Sequence, residues 1–304
     1  MAGDTGAAAL LTGDALVLTD GGIETRLVYE MGVELPEPLQ SAALVGTAAL
    51  RELYVSYVEA ARAHGLPVIL GTPTFRAGAR YAEAAGADVG EVNAAAVRHH
   101  LAIRDAAGDG PPILAAGVLG PRGDAYTPAE APDAEEAERY HAIQAGALAA
   151  AGPDLLFAPT FPAVGEAVGC VRAMSATGLP AVISWVLDRD GRVLDGTPLA
   201  DAIARVDAEC DPAPLYHSLS CVHPTVAERA LAGVTPGRVL ECKANGSPLT
   251  PAELVALDHL EGDDPQTFAA EMWRLHTAHG LRILGGCCGT DARHMRALGA
   301  LMAA

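Results

Sequence analysis

Positive charge and aromatic residues are scarce in this sequence. Of 304 residues, 20 are Lys or Arg and 38 are Asp or Glu, which gives a formal net charge of −18 at pH 7. Lysine occurs once, at position 243. A protein that binds nucleic acid needs clustered cations to face the phosphates. The composition therefore argues against a nucleic-acid partner, and the excess negative charge indicates a well-solvated surface.

Long apolar runs are also absent. Gly, Pro or a charged residue interrupts every apolar stretch well before the ~20 residues that a membrane-spanning helix needs, and residues 1–14 lack the cationic start of a secretory signal. Half of the residues are hydrophobic and 19% are charged, so the chain has enough apolar surface to offset the entropy of folding. We expect a cytoplasmic globular protein, a monomer or a homo-oligomer, with no membrane partner.

Cysteine is too rare for a disulfide-stabilised scaffold in a chain of this length. The six cysteines are at positions 170, 210, 221, 242, 287 and 288. The adjacent pair, Cys287 and Cys288, has Cα atoms ~3.8 Å apart across a trans peptide, below the ~4.4 Å lower end for ordinary disulfides. We expect free thiols, and two neighbouring thiols flanked by glycines need another explanation.

What the sequence does contain is a regular alternation of β-rich runs and Ala-rich helical segments. In residues 50–64, for example, apolar side chains recur at helical spacing, and Gly65 follows as a C-terminal cap would. Each β-rich run precedes a helical segment, and the segment after the seventh run is predicted in two pieces that reach His279. The eight runs are 15–20, 67–72, 113–118, 155–158, 181–187, 215–220, 239–244 and 281–284.

This alternation predicts an α/β fold, the (β/α)8 TIM barrel. We assign residues 1–304 to a single domain because no composition break or short repeat marks a linker, with residues 1–14 as a flexible or loosely packed N-terminal segment. An open doubly wound sheet is the alternative architecture. The nucleotide-binding motifs typical of that alternative, G-x-G-x-x-G after a strand and G-x-x-x-x-G-K-[ST], do not occur.

Function in such a barrel resides at the carboxyl ends of the strands. Cys221 follows the sixth predicted strand, and Cys287 and Cys288 follow the eighth, so three thiols can converge on one rim. Zn²⁺ accepts thiolates, and three protein ligands leave a fourth position for substrate, as in catalytic zinc sites. Glycines beside the pair let both adjacent side chains face one ion. In the alternative interpretation these cysteines are small buried hydrophobic residues, as we expect for the other three.

Three thiolates on zinc favour one class of reaction. They give the site a net charge near −1, so a fourth, substrate thiolate keeps much of its nucleophilicity. A free thiol of pKa ~8.5 is only slightly ionised at pH 7, and coordination supplies the reactive form. We therefore expect a zinc-bound substrate thiolate to attack an electrophilic carbon, rather than water activation. His217 and His223, which flank Cys221, are alternative ligands in place of one thiol.

Five motifs stand out along the chain: D-G-G at 20–22, A-G-x-x-G-P at 116–121, D-G-T-P-L at 195–199, S-C-x-x-P at 220–224 and G-G-C-C-G-T at 285–290. Together they resemble the homocysteine S-methyltransferases, which include betaine-dependent and S-methylmethionine-dependent members. The resemblance covers about residues 15 to 302. It implies a zinc barrel in which Cys221, Cys287 and Cys288 hold the metal, and in which a methyl group passes from a small sulfonium or ammonium donor to a thiol acceptor. Homocysteine is the leading acceptor, with methionine as the product.

The resemblance also implies that Asp20 with Gly21 helps to hold the acceptor amino acid. Neighbouring residues complete the predicted substrate-binding set: Gly22, Thr72, Thr160 and Asn245. Relatives carry a Glu-Thr pair after the fourth strand, where the Glu helps to bind the amino group, but this chain has Pro159 before Thr160. The chain also has Ser220 where relatives commonly have Asn. Glu24 and Glu166 are the candidate substitutes for the amino-binding Glu, although we expect Glu166 to lie on a solvated helix face.

Other interpretations stay open from the sequence. The departure at Pro159 allows the same chemistry on another thiol or on a selenol, or a non-catalytic zinc-binding protein. Lys243 near a strand end allows a Schiff-base lyase. The acidic loop from Gly120 to Asp133 is a candidate lid over the site. Four aromatic residues near strand ends are candidates for contact with a cationic methyl donor: Phe75, Tyr126, Phe161 and Trp185.

Overall fold

Eight parallel strands form a closed barrel in chain order, the last strand pairing with the first. The structure is a computed structural model that describes residues 4–250, 253–254 and 260–304. The predicted (β/α)8 TIM barrel is confirmed, and each predicted β-rich run overlaps a strand. The strands are β1 (Val17–Thr19), β2 (Val68–Gly71), β3 (Ile113–Val118), β4 (Leu155–Phe161), β5 (Ala181–Trp185), β6 (Tyr216–Ser220), β7 (Val239–Ala244) and β8 (Ile283–Gly286).

Helices surround the barrel. They are α1 (Asp4–Thr12), α2 (Ala48–Arg62), α3 (Ala79–Ala84), α4 (Val89–Ala107), α5 (Ala134–Ala151), α6 (Val164–Ser175), α7 (Leu199–Glu209), α8 (Pro224–Leu231), α9 (Pro265–His279) and α10 (Ala292–Met302). Thr47, Asp88 and Asp133 each accept a backbone N–H in the first turn of α2, α4 and α5, as N-cap residues do. The first of the two helical pieces predicted after β7 falls largely outside the described residues.

Alternating side chains on the strands build two apolar layers, because successive residues point to opposite faces of a sheet. Val17, Ile69 and Leu114 belong to one buried cluster, which fills the barrel interior. Their neighbours Leu18 and Leu70 belong to the larger cluster between the strands and the surrounding helices. The carboxyl ends of the strands are left free to carry polar side chains.

The N-terminal segment differs from the expectation of loose packing. Residues 4–12 form α1, and Leu11 on this helix is fully buried in the interior cluster with Val17. Burying a leucine side chain contributes about 2 kcal/mol, which is enough to favour one docked position for a short helix. The described part of this segment therefore belongs to the barrel core.

Two strands extend beyond the runs predicted for them. β4 continues through Thr160 to Phe161, and its register with β5 shifts between Ala158 and Phe161. β8 includes Gly285 and Gly286, two residues whose weak strand propensity hides the end of the strand in the sequence. No helix in the described part of the chain is long and apolar enough to cross a membrane.

Candidate active site

Three cysteine sulfurs converge at the carboxyl end of the barrel. The Sγ atoms of Cys221, Cys287 and Cys288 all lie within 4.8 Å of one another. Zn–S bonds of ~2.3 Å in a tetrahedral site place ligand sulfurs ~3.8 Å apart, so sulfurs at the observed separation can share one ion. The donor set and its spacing fit a metal ion that accepts thiolate ligands, such as zinc.

The turn after β6 directs Cys221 toward the other two thiols. Its backbone φ is +55°, in the left-handed region that residues with a side chain seldom adopt. Two hydrogen bonds hold this turn: the Cys221 N–H donates to the Lys243 carbonyl at 3.1 Å, and the side-chain amide of Asn245 donates to the Cys221 carbonyl at 3.1 Å. The unusual backbone conformation at this position therefore directs the Sγ atom of Cys221 toward the other two sulfurs.

The pair after β8 is fixed by close backbone packing. The Cys287 N–H donates to the Ala244 carbonyl at 2.7 Å, and the Cys287 carbonyl accepts the hydroxyl of Thr290 at 2.8 Å. A Cβ on Gly286 would lie 2.0 Å from Oγ1 of Thr290. Only glycine fits there, which explains why a glycine precedes the pair.

The three thiols strongly perturb one another. Hydrogen bonds from the Cys221 and Cys288 thiols lower the pKa of Cys287 well below its ordinary value, because they stabilise its thiolate. The same contact with Cys287 raises the pKa of Cys221 well above its ordinary value. Three thiolates this close repel one another unless a cation lies between them, so the cluster is suited to holding a metal ion.

A cavity of about 320 Å³ opens above the three cysteines, a size suited to a small molecule. Its lining includes five of the six predicted substrate-binding residues: Asp20, Gly21, Gly22, Thr72 and Thr160. Thr160 has a φ of +58° and lies at the register shift of β4.

Asn245 is the sixth residue predicted to bind substrate. Within the described part of the chain, the residues that line the cavity do not include it. It lies behind Cys221 and holds the turn, because its amide reaches the Cys221 carbonyl.

Asp20 and Lys243 form an ion pair in the wall of the cavity. The two residues are 223 positions apart in the chain, so the sequence does not show that they pair. Burial lowers the pKa of Lys243, but the Asp20 carboxylate outweighs burial and raises that pKa above its ordinary value. A Schiff-base lysine must be neutral to attack a carbonyl, so this pairing argues against the lyase interpretation.

The two candidate glutamates have different environments. Glu24 lines the cavity, and its Oε1 accepts the Ser41 hydroxyl at 2.9 Å. The expected solvated position of Glu166 is wrong: this residue is 1% exposed and lies outside the cavity wall. Its Oε1 accepts the Arg122 N–H at 2.6 Å and lies 3.0 Å from Nε2 of His141. Glu24 is the glutamate that can reach a ligand.

Aromatic residues form part of the cavity wall. Phe75 and Tyr126 line it as predicted, but Phe161 and Trp185 are fully buried elsewhere. Tyr126 comes from the loop that was predicted as a lid, and its hydroxyl lies within hydrogen-bonding reach of Cys221. Two further aromatic residues line the wall and were not predicted from the sequence, Tyr81 and Phe157. Phe157 is an interior side chain of β4, which the strand alternation could have identified.

Neither candidate histidine replaces a cysteine in the cluster. His217 accepts the Trp185 indole N–H at 3.1 Å through Nδ1, so its Nε2 carries the proton and donates to Asp207 at 3.0 Å. His223 points to Asp263, with Nε2 and Oδ2 2.9 Å apart. Both rings are therefore engaged in hydrogen bonds away from the three thiols.

Several known proteins are similar to this chain. A family model described as homocysteine S-methyltransferase matches residues 17–302. Betaine–homocysteine S-methyltransferase 1 of Danio rerio is 27% identical over 95% of this chain and 73% of that protein. Homocysteine S-methyltransferase of Escherichia coli K12 is 26% identical over 95% of this chain and 96% of that protein. The crystal structure of the metallated form of the Escherichia coli homocysteine methyltransferase MmuM is similar with a TM-score of 0.74 and 25% identity, covering 97% of this chain and 98% of that one. The chain belongs to the homocysteine S-methyltransferase family, a family of methyltransferases.

Proposed function

We propose that this protein is a zinc-dependent S-methyltransferase that moves a methyl group from a small sulfonium or ammonium donor to the thiol of homocysteine. The observation that carries the proposal is the convergence of three cysteine sulfurs, within 4.8 Å of one another, in the wall of a small-molecule cavity. The relatives from Danio rerio and Escherichia coli are named as homocysteine S-methyltransferases, and one structure of a relative is of a metallated form. Both facts support the choice of acceptor and the need for a metal.

Cys221, Cys287 and Cys288 would hold the metal through their thiolates. When bound, zinc supplies an ionised acceptor thiol at neutral pH, where a free thiol is mostly protonated. The acceptor sulfur forms a new bond to the methyl carbon as the donor's carbon–sulfur or carbon–nitrogen bond breaks. The bonding electron pair leaves with the donor heteroatom, which becomes neutral, and the acceptor's thiol proton passes to solvent.

The chain's own residues exclude water and orient the two substrates. Phe75, Tyr81, Tyr126 and Phe157 bring aromatic rings to the cavity wall. Aromatic faces attract cations, and the attraction grows when water is excluded. We assign these rings to the cationic donor, while the residues around Asp20 hold the acceptor near the three sulfurs.

A second candidate function is the same transfer to a different thiol or to a selenol. Pro159 favours it, because this residue lines the cavity and places no charge there. The acceptor screen below includes these compounds, and methylation of another thiol at a higher kcat/KM than homocysteine would favour the second candidate.

The test combines metal analysis with a methyl-transfer assay. Protein purified under reducing conditions is analysed for zinc, then incubated with S-methylmethionine, betaine or S-adenosylmethionine and with homocysteine, other thiols or a selenol. We expect about one zinc per chain and the formation of methionine. Protein that binds no zinc would contradict the metal site. Zinc-loaded protein that is silent with every pair would identify a non-catalytic zinc-binding protein instead.

A further inference from the structure

A second cluster of side chains that can bind a metal lies outside the cavity wall. It consists of His223, which caps the start of α8, Asp263, which lies between β7 and α9, and Glu271 on α9. One ring nitrogen of the histidine and one oxygen of each carboxylate lie within 4.8 Å of one another. Three separate segments of the chain therefore bring nitrogen and oxygen donors to one point.

The distances in this second cluster suit a shared ion. Nε2 of His223 lies 2.9 Å from Oδ2 of Asp263 and 3.5 Å from Oε2 of Glu271. Metal bonds of ~2.0–2.2 Å to histidine nitrogen and carboxylate oxygen place neighbouring ligand atoms of a tetrahedral site ~3.4 Å apart. The observed separations are close to this value, so the three atoms can bind one ion with small adjustments of their side chains.

The negative charge of the second cluster is only partly compensated by the protein. A neutral imidazole has one N–H to share between the two carboxylates, and Oε2 of Glu271 is buried without a hydrogen-bond partner within the described residues. The guanidinium of Arg274 lies 3.9 Å from Oε1 of Glu271, but its Nε also contacts Glu228 at 3.3 Å. A divalent cation between the two carboxylates would compensate their charge.

Asp263 is held in place by its backbone. Its N–H donates to the Gly246 carbonyl. His294 accepts the Asp291 N–H at 3.1 Å through Nδ1, so its Nε2 carries the proton and donates to the Asp263 carbonyl at 3.0 Å. Asp263 also lines a surface groove, which gives an ion a path from solvent. These contacts fix the position of one ligand before a metal binds.

The ring of His223 can free its Nε2 atom for a metal. Its Nδ1 lies 2.8 Å from the Thr225 hydroxyl and 3.4 Å from the Thr225 N–H. When a metal occupies Nε2, the ring proton moves to Nδ1 and is donated to the hydroxyl oxygen, while the long contact with the N–H is lost. Histidine ligands commonly donate their second ring N–H to such a partner.

We propose that His223, Asp263 and Glu271 form a second metal site, which binds a divalent transition-metal cation such as Zn²⁺ or Mn²⁺. Imidazole and carboxylate ligands suit these ions. No step of the methyl transfer uses this site. The site supports the sulfur cluster from behind, because His223 follows the Cys221 turn and the Gly246 N–H, next to the Asp263 contact, donates to the Cys288 carbonyl at 2.9 Å.

The experiment titrates Mn²⁺ into the zinc-loaded full-length chain and follows free Mn²⁺ by electron paramagnetic resonance. Physiological ionic strength screens weak binding to scattered surface carboxylates, and thiolates are poor ligands for Mn²⁺. We expect about one Mn²⁺ to bind per chain. Added Zn²⁺ should displace it, because zinc binds such sites more tightly than manganese. Bound Mn²⁺ that zinc does not displace would contradict a shared site.

Two variants test the ligands. Asp263→Asn and Glu271→Gln should each weaken Mn²⁺ binding at least about tenfold, since even loss of a group that only orients a ligand costs 10–100-fold. Glu91→Gln, whose side chain is 78% exposed on α4, is the matched control and should keep the wild-type dissociation constant. The zinc content of each variant and its thermal unfolding midpoint show whether it is folded.

The unfolding midpoints distinguish a metal site from a hydrogen-bonded cluster. Without Mn²⁺, the midpoint of Glu271→Gln should equal or exceed that of the wild type, because the repulsion between two carboxylates is gone. With saturating Mn²⁺ the wild type should have the higher midpoint, because the ion binds only its folded state tightly. The same order of midpoints at every Mn²⁺ concentration would overturn the proposal.

The remaining outcomes keep this inference separate from the proposed function. Cys288→Ala, which should lose the zinc of the sulfur cluster, should still bind Mn²⁺ like the wild type. Loss of Mn²⁺ binding in that folded variant would assign the ion to the thiolates and overturn this inference. A wild-type chain that binds no Mn²⁺, or equal binding by wild type, Asp263→Asn and Glu271→Gln, would also overturn it, while methyl transfer to homocysteine would be unaffected.

Discussion

Lys243, the only lysine in the chain, is bonded to Asp20, the first residue of the D-G-G motif. The pair joins the end of β7 to the end of β1 and lies in the wall of the cavity that the three cysteines line. A buried ion pair contributes little net stability compared with apolar residues, but removal of one partner leaves an uncompensated charge. Asp20 therefore holds the Lys243 ammonium in one orientation in the cavity wall, and each residue compensates the charge of the other.

Removing Asp20 alone should be more damaging than removing both charges. We expect Asp20→Ala to lower the free energy of unfolding by about 3–5 kcal/mol, because Lys243 is left buried and unpaired. The double variant Asp20→Asn/Lys243→Gln should cost less, since two neutral amides can bond to each other. Urea denaturation of both proteins at pH 7 measures the difference. Equal losses in the two variants would mean that the charge on Lys243 does not need Asp20.

Each of the three clustered cysteines should be needed for the metal. We expect Cys221→Ala, Cys287→Ala and Cys288→Ala each to lose bound zinc, because two protein thiolates remain. Cys242→Ala is the matched control: this cysteine is fully buried in β7 and outside the cluster. It should keep about one zinc and lose about 1 kcal/mol of stability. Zinc per chain is measured by elemental analysis after dialysis under reducing conditions, and zinc retained by Cys288→Ala would contradict the ligand assignment.

The barrel and its sulfur cluster could be predicted from the sequence because both depend on chain order. Strands that alternate with helices must be parallel, and parallel strands bring their carboxyl ends to one rim. Cys221 and the pair at 287 and 288 follow two such strands, so topology alone places them on the same side. The predicted convergence of these cysteines does not depend on how side chains pack.

Contacts that depend on packing between helices and loops could not be predicted in the same way. Glu166 was expected on a solvated face, but α5 packs His141 against it, and the loop after β3 brings in the Arg122 N–H. The role of Asn245 was missed because the turn at Cys221 has an unusual backbone conformation. The sequence shows which residues are polar, whereas their partners come from elements far away in the chain.

Glu166 should act on the loop after β3 and not on the ligand. We expect Glu166→Ala to lower the free energy of unfolding by about 1–3 kcal/mol, because the Arg122 N–H and His141 each lose a buried partner. The loop 120–133 should become more susceptible to limited proteolysis. The affinity for homocysteine relative to 4-mercaptobutanoate, a thiol that lacks the ammonium group, should keep its wild-type value. A large drop in this relative affinity with unchanged proteolysis would indicate that Glu166 binds the ammonium group of the acceptor.

Asp207 should make stability depend on pH in the acid range. Its carboxylate accepts two hydrogen bonds from Arg238, at 2.6 and 2.8 Å, and one from His217 at 3.0 Å. Burial raises the pKa of Asp207, but the contacts with His217 and Arg238 outweigh burial and lower it from 3.8 to about 2. Because the folded-state pKa lies below the unfolded one, this stabilisation is complete above about pH 4 and is lost as pH falls through about pH 2.

The wild-type chain should therefore lose about 1 kcal/mol of stability relative to Asp207→Asn between pH 4 and pH 2, because solvent screens part of the interaction of this partly exposed carboxylate. The comparison with the variant removes the contribution of the other carboxyl groups, which titrate in both proteins. Chemical denaturation at several pH values in this window measures the difference. A gap between the two proteins that is constant from pH 4 to pH 2 would mean that Asp207 titrates near its ordinary value and that its contact with Arg238 is weak in solution.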